Sequence, residues 1–280
     1  MIKFPDAFLE VRASYFVDSV QMRCLCAGYD GGAWRSKRLA EHLFQWLPYI
    51  ALSQDMQSGF GSDNFVEMLR LAAAHIYKTR RTDTRGELGE LLLHIACISE
   101  FETVPIICKL VLKTSSNDTV KGFDGIHLLR TGAGFEIWLG ESKFYTNPKD
   151  AITDAISSVR THLLPTFLDT EKAMIFGHVA PDVPHRDEVL ALFKSTTSGD
   201  KLLEMAAFPI LIAYDSDAVG SFDKLCDEYT KSIAAEVEGL RSFFAERVTD
   251  LRLRFHLVFV PLNKKKDLVE KFDQLLVPFL

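Results

Sequence analysis

The chain has 280 residues, 48% of them hydrophobic and 25% charged, the proportions of an ordinary globular protein with room for a large core. No apolar run approaches the ~20 residues of a membrane helix, the N-terminus lacks a signal-peptide pattern, and five cysteines without a paired framework point to a reducing cytoplasm. A net charge of −6 excludes the broad basic footprint of a protein that grips nucleic acid unaided.

In chain order, residues 1–30 read as short mixed strands ending at the turn Tyr29-Asp30-Gly31-Gly32. A helix follows over Ser36–Leu52, with Leu39, Leu43, Trp46, Leu47 and Ile50 on its apolar side. Ser58–Gly61 breaks it, and Ser62 or Asp63 can cap a second helix over Asn64–Thr79. The basic run Lys78–Arg85 leads to a third helix starting near Thr84 or Arg85, where Glu87 and Glu90 share a face. Val104–Lys113 reads as a strand. Asn147-Pro148 opens a long helix to about Leu168, and residues 170–206 hold short helices and loops. Phe208–Tyr214 has the composition of a strand buried on both sides. A long helix over Phe222–Val248, a strand over Leu251–Val260 and a helix over Lys265–Leu276 complete the chain. Basic residues also gather at Arg35–Arg38, Arg252–Arg254 and Lys264–Lys266, each of which a solvated element end explains. Cys24-x-Cys26 has no second thiol pair at zinc spacing, and His94 and Cys97 read as core residues.

Val120–Arg130 and Phe135–Tyr145 form a predicted hairpin around a turn centred on Gly132-Ala133. That register sets Asp124 opposite Glu141 and Lys143 opposite Gly122. One face then carries Leu128, Ile126 and Asp124 with Ile137, Leu139, Glu141 and Lys143, while His127 falls on the other. Facing carboxylates repel, and a bridging divalent cation such as Mg²⁺ would relieve them. A slip of one residue would separate the pair.

The order of elements is α/β, with helices on a mixed sheet. Helix, three strands, helix, strand resembles the restriction-endonuclease-like core of the PD-(D/E)xK nucleases, with Asp124 and Glu141-Ser142-Lys143 at the motif positions and Gly122-Phe123 where Pro-Asp would begin it. The strings YDGGAWR, GELGELLLHIACISEF, KGFDGIHLL and FEIWLGESKFY are similar to the HamA family, the nuclease subunit of the Hachiman anti-phage defence system. The resemblance implies an N-terminal, mostly helical lobe over residues 1–83, a nuclease core over 84–262 and a C-terminal helix over 263–280. It further implies a bacterial cytoplasmic protein acting on DNA with a superfamily-two helicase partner, HamB. Carried over, Asp124 and Glu141 ligate Mg²⁺ with the backbone carbonyl of Ser142, and Mn²⁺ substitutes. Lys143 orients or deprotonates the attacking water, orientation being the safer role beside two carboxylates. Glu90 binds metal waters or a second ion, with Glu87 competing for that place. Lys121, Arg85, Tyr145, Arg160 and His162 are further candidate phosphate contacts. Two other readings stay open: a catalytically inactive adaptor for a helicase, and an RNase on the same core.

Overall fold

The structure is a computed structural model that describes residues 4–16, 19–57, 59, 61, 63–77, 86–112, 122–132 and 134–280. The chain begins with β1 (Glu10–Tyr15), β2 (Val20–Cys26) and a small pair, β3 (Tyr29–Asp30) and β4 (Ala33–Trp34). Helices α1 (Ser36–Ala51), α2 (Gln54–Gln57), α3 (Phe65–Tyr77) and α4 (Gly86–Phe101) precede β5 (Val104–Cys108), the turn α5 (Lys109–Leu112), β6 (Gly125–Thr131) and β7 (Gly134–Phe144). Next come α6 (Pro148–His162), α7 (Pro165–His178), α8 (Arg186–Phe193), α9 (Gly199–Met205), β8 (Ala206–Asp215), α10 (Asp217–Gly220), α11 (Asp227–Ala245), β9 (Phe255–Leu262) and α12 (Lys265–Leu276).

Among the described residues seven strands make one mixed sheet in the order β1-β2-β9-β8-β7-β6-β5. The four central strands β2, β9, β8 and β7 are parallel, and antiparallel strands flank them on both sides. Parallel strands are covered on both faces, which is why β8 reads as a continuous apolar run and is buried from Ala206 to Tyr214. Each of its large side chains contributes about 1.5–3 kcal/mol of burial. Alternate residues of β7 point to opposite faces. Ser142 and Phe144 meet Gly89 of α4, whereas Lys143 reaches Ser158 of α6. Helices α4 and α6 therefore cover opposite faces, with α1 packed beside α4, α12 on α1 and α11 beside α6.

Two expectations are corrected. The strand predicted over Val104–Lys113 stops at Cys108, and Lys109–Leu112 turn into a helical segment. A short apolar run cannot by itself tell strand from buried helix. The helix predicted to run from Asn147 to Leu168 ends at His162, because Pro165 lacks an amide hydrogen and instead occupies the first turn of α7. The first two strands, far from the core in sequence, extend its sheet, with β2 pairing in parallel with β9. No helix among the described residues is long and apolar enough to cross a membrane.

Candidate active site

The β6–β7 ladder runs from Thr131 opposite Gly134 to Gly125 opposite Gly140, the register expected from the glycine turn. One step further it changes. The Asp124 amide donates to the Gly140 carbonyl at 2.9 Å, so the ladder does not continue into a regular Asp124–Glu141 pair. Because β6 ends there, β7 projects beyond its neighbour over residues 141–144. The Asp124 side chain occupies that open edge, where its Oδ2 accepts from the Ser142 amide at 2.9 Å and the Ser142 hydroxyl at 2.8 Å. Strand N–H and C=O groups of one residue point the same way, so the Ser142 carbonyl shares this edge.

The repulsion expected between the two acids is relieved by two lysines. Lys109, on the α5 turn, donates to Asp124 Oδ1 and to the Gly122 carbonyl, both at 3.1 Å. Lys143 lies 3.0 Å from Glu141 Oε1, 2.8 Å from Asp154 Oδ2 and 3.0 Å from Ser158 Oγ. Burial alone would raise Asp124, but Lys109 and the Ser142 bonds outweigh it and hold the carboxyl below its ordinary value. Burial, reinforced by Asp124, pushes Glu141 up to about 7. Burial works against the Lys143 ammonium, yet Glu141 and Asp154 more than offset it and raise the group above an ordinary lysine.

These groups share one cleft of about 690 Å³, whose lining includes Glu90, Lys109, Asp124, Glu141, Ser142, Lys143, Tyr145, Ser158, His162 and Lys265. It opens beside the carboxyl ends of parallel strands, where α/β sheets hold ligands. Gly89 lets α4 lie this close. A Cβ there would stand 3.3 Å from Phe144 Cβ and 3.4 Å from Ser142 Oγ, tighter than ordinary contact. Glu90 lines the cleft, whereas Glu87 is buried on the same helix and is not part of the lining.

A family model described as HamA matches residues 3–276 of the chain. The chain belongs to the HamA family. A comparison with curated proteins finds no match.

Within this HamA-family cleft the donors are hard oxygens, and the buried Glu141 Oε2 has no hydrogen-bond partner among the described residues. Mg²⁺ commonly takes one or two carboxylates and keeps several waters, so the donor set fits an open Mg²⁺ site. It does not form a closed cage. Among the described residues no group of three or more His, Cys, Asp or Glu side chains is arranged to hold a metal by itself. Asp124 would also have to share its carboxylate with Lys109.

The other sequence candidates separate clearly. Tyr145 lines the cleft and donates to Asp154 at 2.8 Å. His162 also lines it, stacked on Phe167, and burial lowers its imidazole to about 4, which keeps the ring neutral. Arg160 does not line the cleft; it pairs with Asp250 at 2.7 Å on the surface. Arg85 and Lys121 lie outside the described residues. His127 is buried in a hydrogen-bonded set with His94 and Thr103.

Sequence reasoning missed Lys109 and Glu171. Lys109 left one signal, a charge inside an apolar run. Glu171, on α7, accepts from the Phe123 amide at 3.2 Å, and a Cβ on Gly122, whose φ is +135°, would overlap its carboxylate. Burial pushes Glu171 up to about 7. The folded chain therefore holds this proton more tightly than the unfolded chain. The associated stability is present below the unfolded value and is lost as pH rises through 7. Glu171→Gln keeps the acceptor and removes the titration, so thermal melts should show it gaining on wild type between pH 4.5 and pH 8, by on the order of 2 kcal/mol. A pH-independent difference would contradict this.

Proposed function

We propose that the chain is a metal-dependent nuclease that cuts DNA in the Hachiman anti-phage defence system, controlled by the helicase HamB in the bacterial cytoplasm. Family membership supports the defence setting. The observation that carries the chemistry is that Asp124, Glu141, Lys143 and Glu90 line one cleft at the open edge of β7. The order α4, β5, β6, β7, α6, β8, with α5 inserted after β5 and α7–α9 inserted before β8, supports reading the chain as a restriction-endonuclease-like core.

Asp124 and Glu141, with the Ser142 carbonyl, would hold Mg²⁺ or Mn²⁺, and Glu90, also in the lining, would accept from its waters. When bound, the metal supplies Lewis-acid polarisation of the phosphodiester and a more acidic attacking water. Lys143 is assigned orientation rather than the role of base, because its ammonium is paired with Glu141 and Asp154. It orients the nucleophilic water and neutralises charge that grows on the scissile phosphate. Asp154 and Ser158 fix its ammonium. Lys109 steadies Asp124 and lowers the cost of holding several carboxylates in one cleft.

The test is incubation of the pure chain, alone and with HamB, with end-labelled DNA and RNA in Mg²⁺ or EDTA. DNA fragments formed only with Mg²⁺ are expected. Cleavage of RNA in place of DNA would reassign the substrate. No cleavage by either the chain or the complex would favour the inactive adaptor.

A further inference from the structure

Among the described residues three lysines enter the cleft, and they differ in what balances their charge. Lys109 is paired with Asp124, and Lys143 with Glu141 and Asp154. Lys265, the first residue of α12, donates to the Phe144 carbonyl at 2.7 Å and lies 4.7 Å from the centre of the Phe144 ring. No carboxylate forms an ion pair with it among the described residues. An ammonium has three donors, so two remain for a ligand. The end of α12 is not itself the anion site, because the Lys265 amide is already taken by Asp215 Oδ1.

Position decides which ligand atoms it can meet. Phe144 follows Lys143 on β7, about 3.3 Å further along the strand, and its side chain points to the opposite face. The cleft wraps around this strand end, with Tyr145 and Thr146 also in its lining. Lys143 thus commands one side of the open edge and Lys265 the other.

We infer that Lys265 grips a backbone phosphate of the bound DNA next to the scissile one, making this end of the cleft a phosphate subsite. The inference rests on the nuclease reading and adds a contact to it. Burial, only partly offset by Asp215, pulls the Lys265 ammonium below an ordinary lysine, and an approaching phosphate would favour the charged form. It also gives an acidic chain a local cation for its substrate without a basic surface.

The test is fluorescence anisotropy of labelled duplex DNA with the full chain in EDTA, over a series of salt concentrations, for wild type, Lys265→Gln and Lys265→Arg. One phosphate contact contributes about 0.9 to the slope of log affinity against log salt. Lys265→Gln is expected to weaken binding several-fold at low salt and flatten the slope by about that amount, with Lys265→Arg restoring both. An unchanged slope in Lys265→Gln overturns the inference, even if affinity falls, because the lysine would then act only by supporting Phe144. So does a folded Lys265→Arg that behaves like the glutamine variant. If wild type does not bind DNA, the inference falls as well, while the nuclease reading is decided separately by the Mg²⁺-dependent cleavage assay.

Discussion

Lys143→Ala is expected to reduce Mg²⁺-dependent DNA cleavage by roughly 10²–10³-fold or more while the chain stays folded, since removing one preorganised charge donor costs about that much in comparable sites. The fold survives for an electrostatic reason. Lys143 holds Glu141 Oε1 at 3.0 Å, and its loss leaves a carboxylate that is only 4% exposed. That carboxyl already stands at about 7, so it can take up a proton at neutral pH rather than persist as an unpaired buried charge. Lys143→Arg should rescue poorly, because a planar guanidinium cannot reproduce an ammonium set among Glu141, Asp154 and Ser158. Single-turnover cleavage with matched thermal melts checks both variants. Alanine activity within tenfold of wild type would remove Lys143 from the chemistry.

Asp124 should show the larger effect on stability. Its side chain accepts from Lys109, the Ser142 amide and the Ser142 hydroxyl, and it joins the α5 turn to the open edge of β7. Asp124→Ala removes all three bonds and leaves Lys109 buried without its counter-charge, a change expected to cost about 3–5 kcal/mol. Replacing both partners is a different matter. The double variant Asp124→Asn with Lys109→Met removes the charge pair together, and such neutral replacements are often tolerated. It should regain most of the lost stability and yet remain inactive, separating the structural role of Asp124 from its chemical one. Denaturant unfolding of wild type, Asp124→Asn, Lys109→Met and the double variant measures the coupling. Strictly additive single effects would mean that the Lys109–Asp124 contact is not what steadies this corner.

Much of this corner was legible in the chain itself. A glycine turn with alternating residues on either side defined the β6–β7 register, and that register put Glu141 and Lys143 on one face. The buried strand β8 was visible as an uninterrupted apolar run. What stayed hidden depends on long-range contact or on a local break. Lys109 sits in a run that looks like a strand, and only the turn at α5 carries its ammonium to Asp124. Glu171 leaves no local mark, since the separate direction of α7, which begins at Pro165, is what carries it to Phe123. Lys265 belongs to a three-lysine run that has the signature of a solvated helix end, and nothing local distinguishes the one that turns into the cleft. The parallel pairing of β2 with β9 joins distant parts of the chain and leaves no local mark.

The most direct test of the metal-binding corner is a Mn²⁺ titration of the folded, metal-free chain, followed by electron paramagnetic resonance, for wild type and Glu141→Gln. Saturable binding by wild type that weakens at least tenfold in Glu141→Gln, with an unchanged melting temperature, is the predicted result. Equal binding by the two proteins, or no binding to wild type, would contradict a metal site built on Asp124 and Glu141.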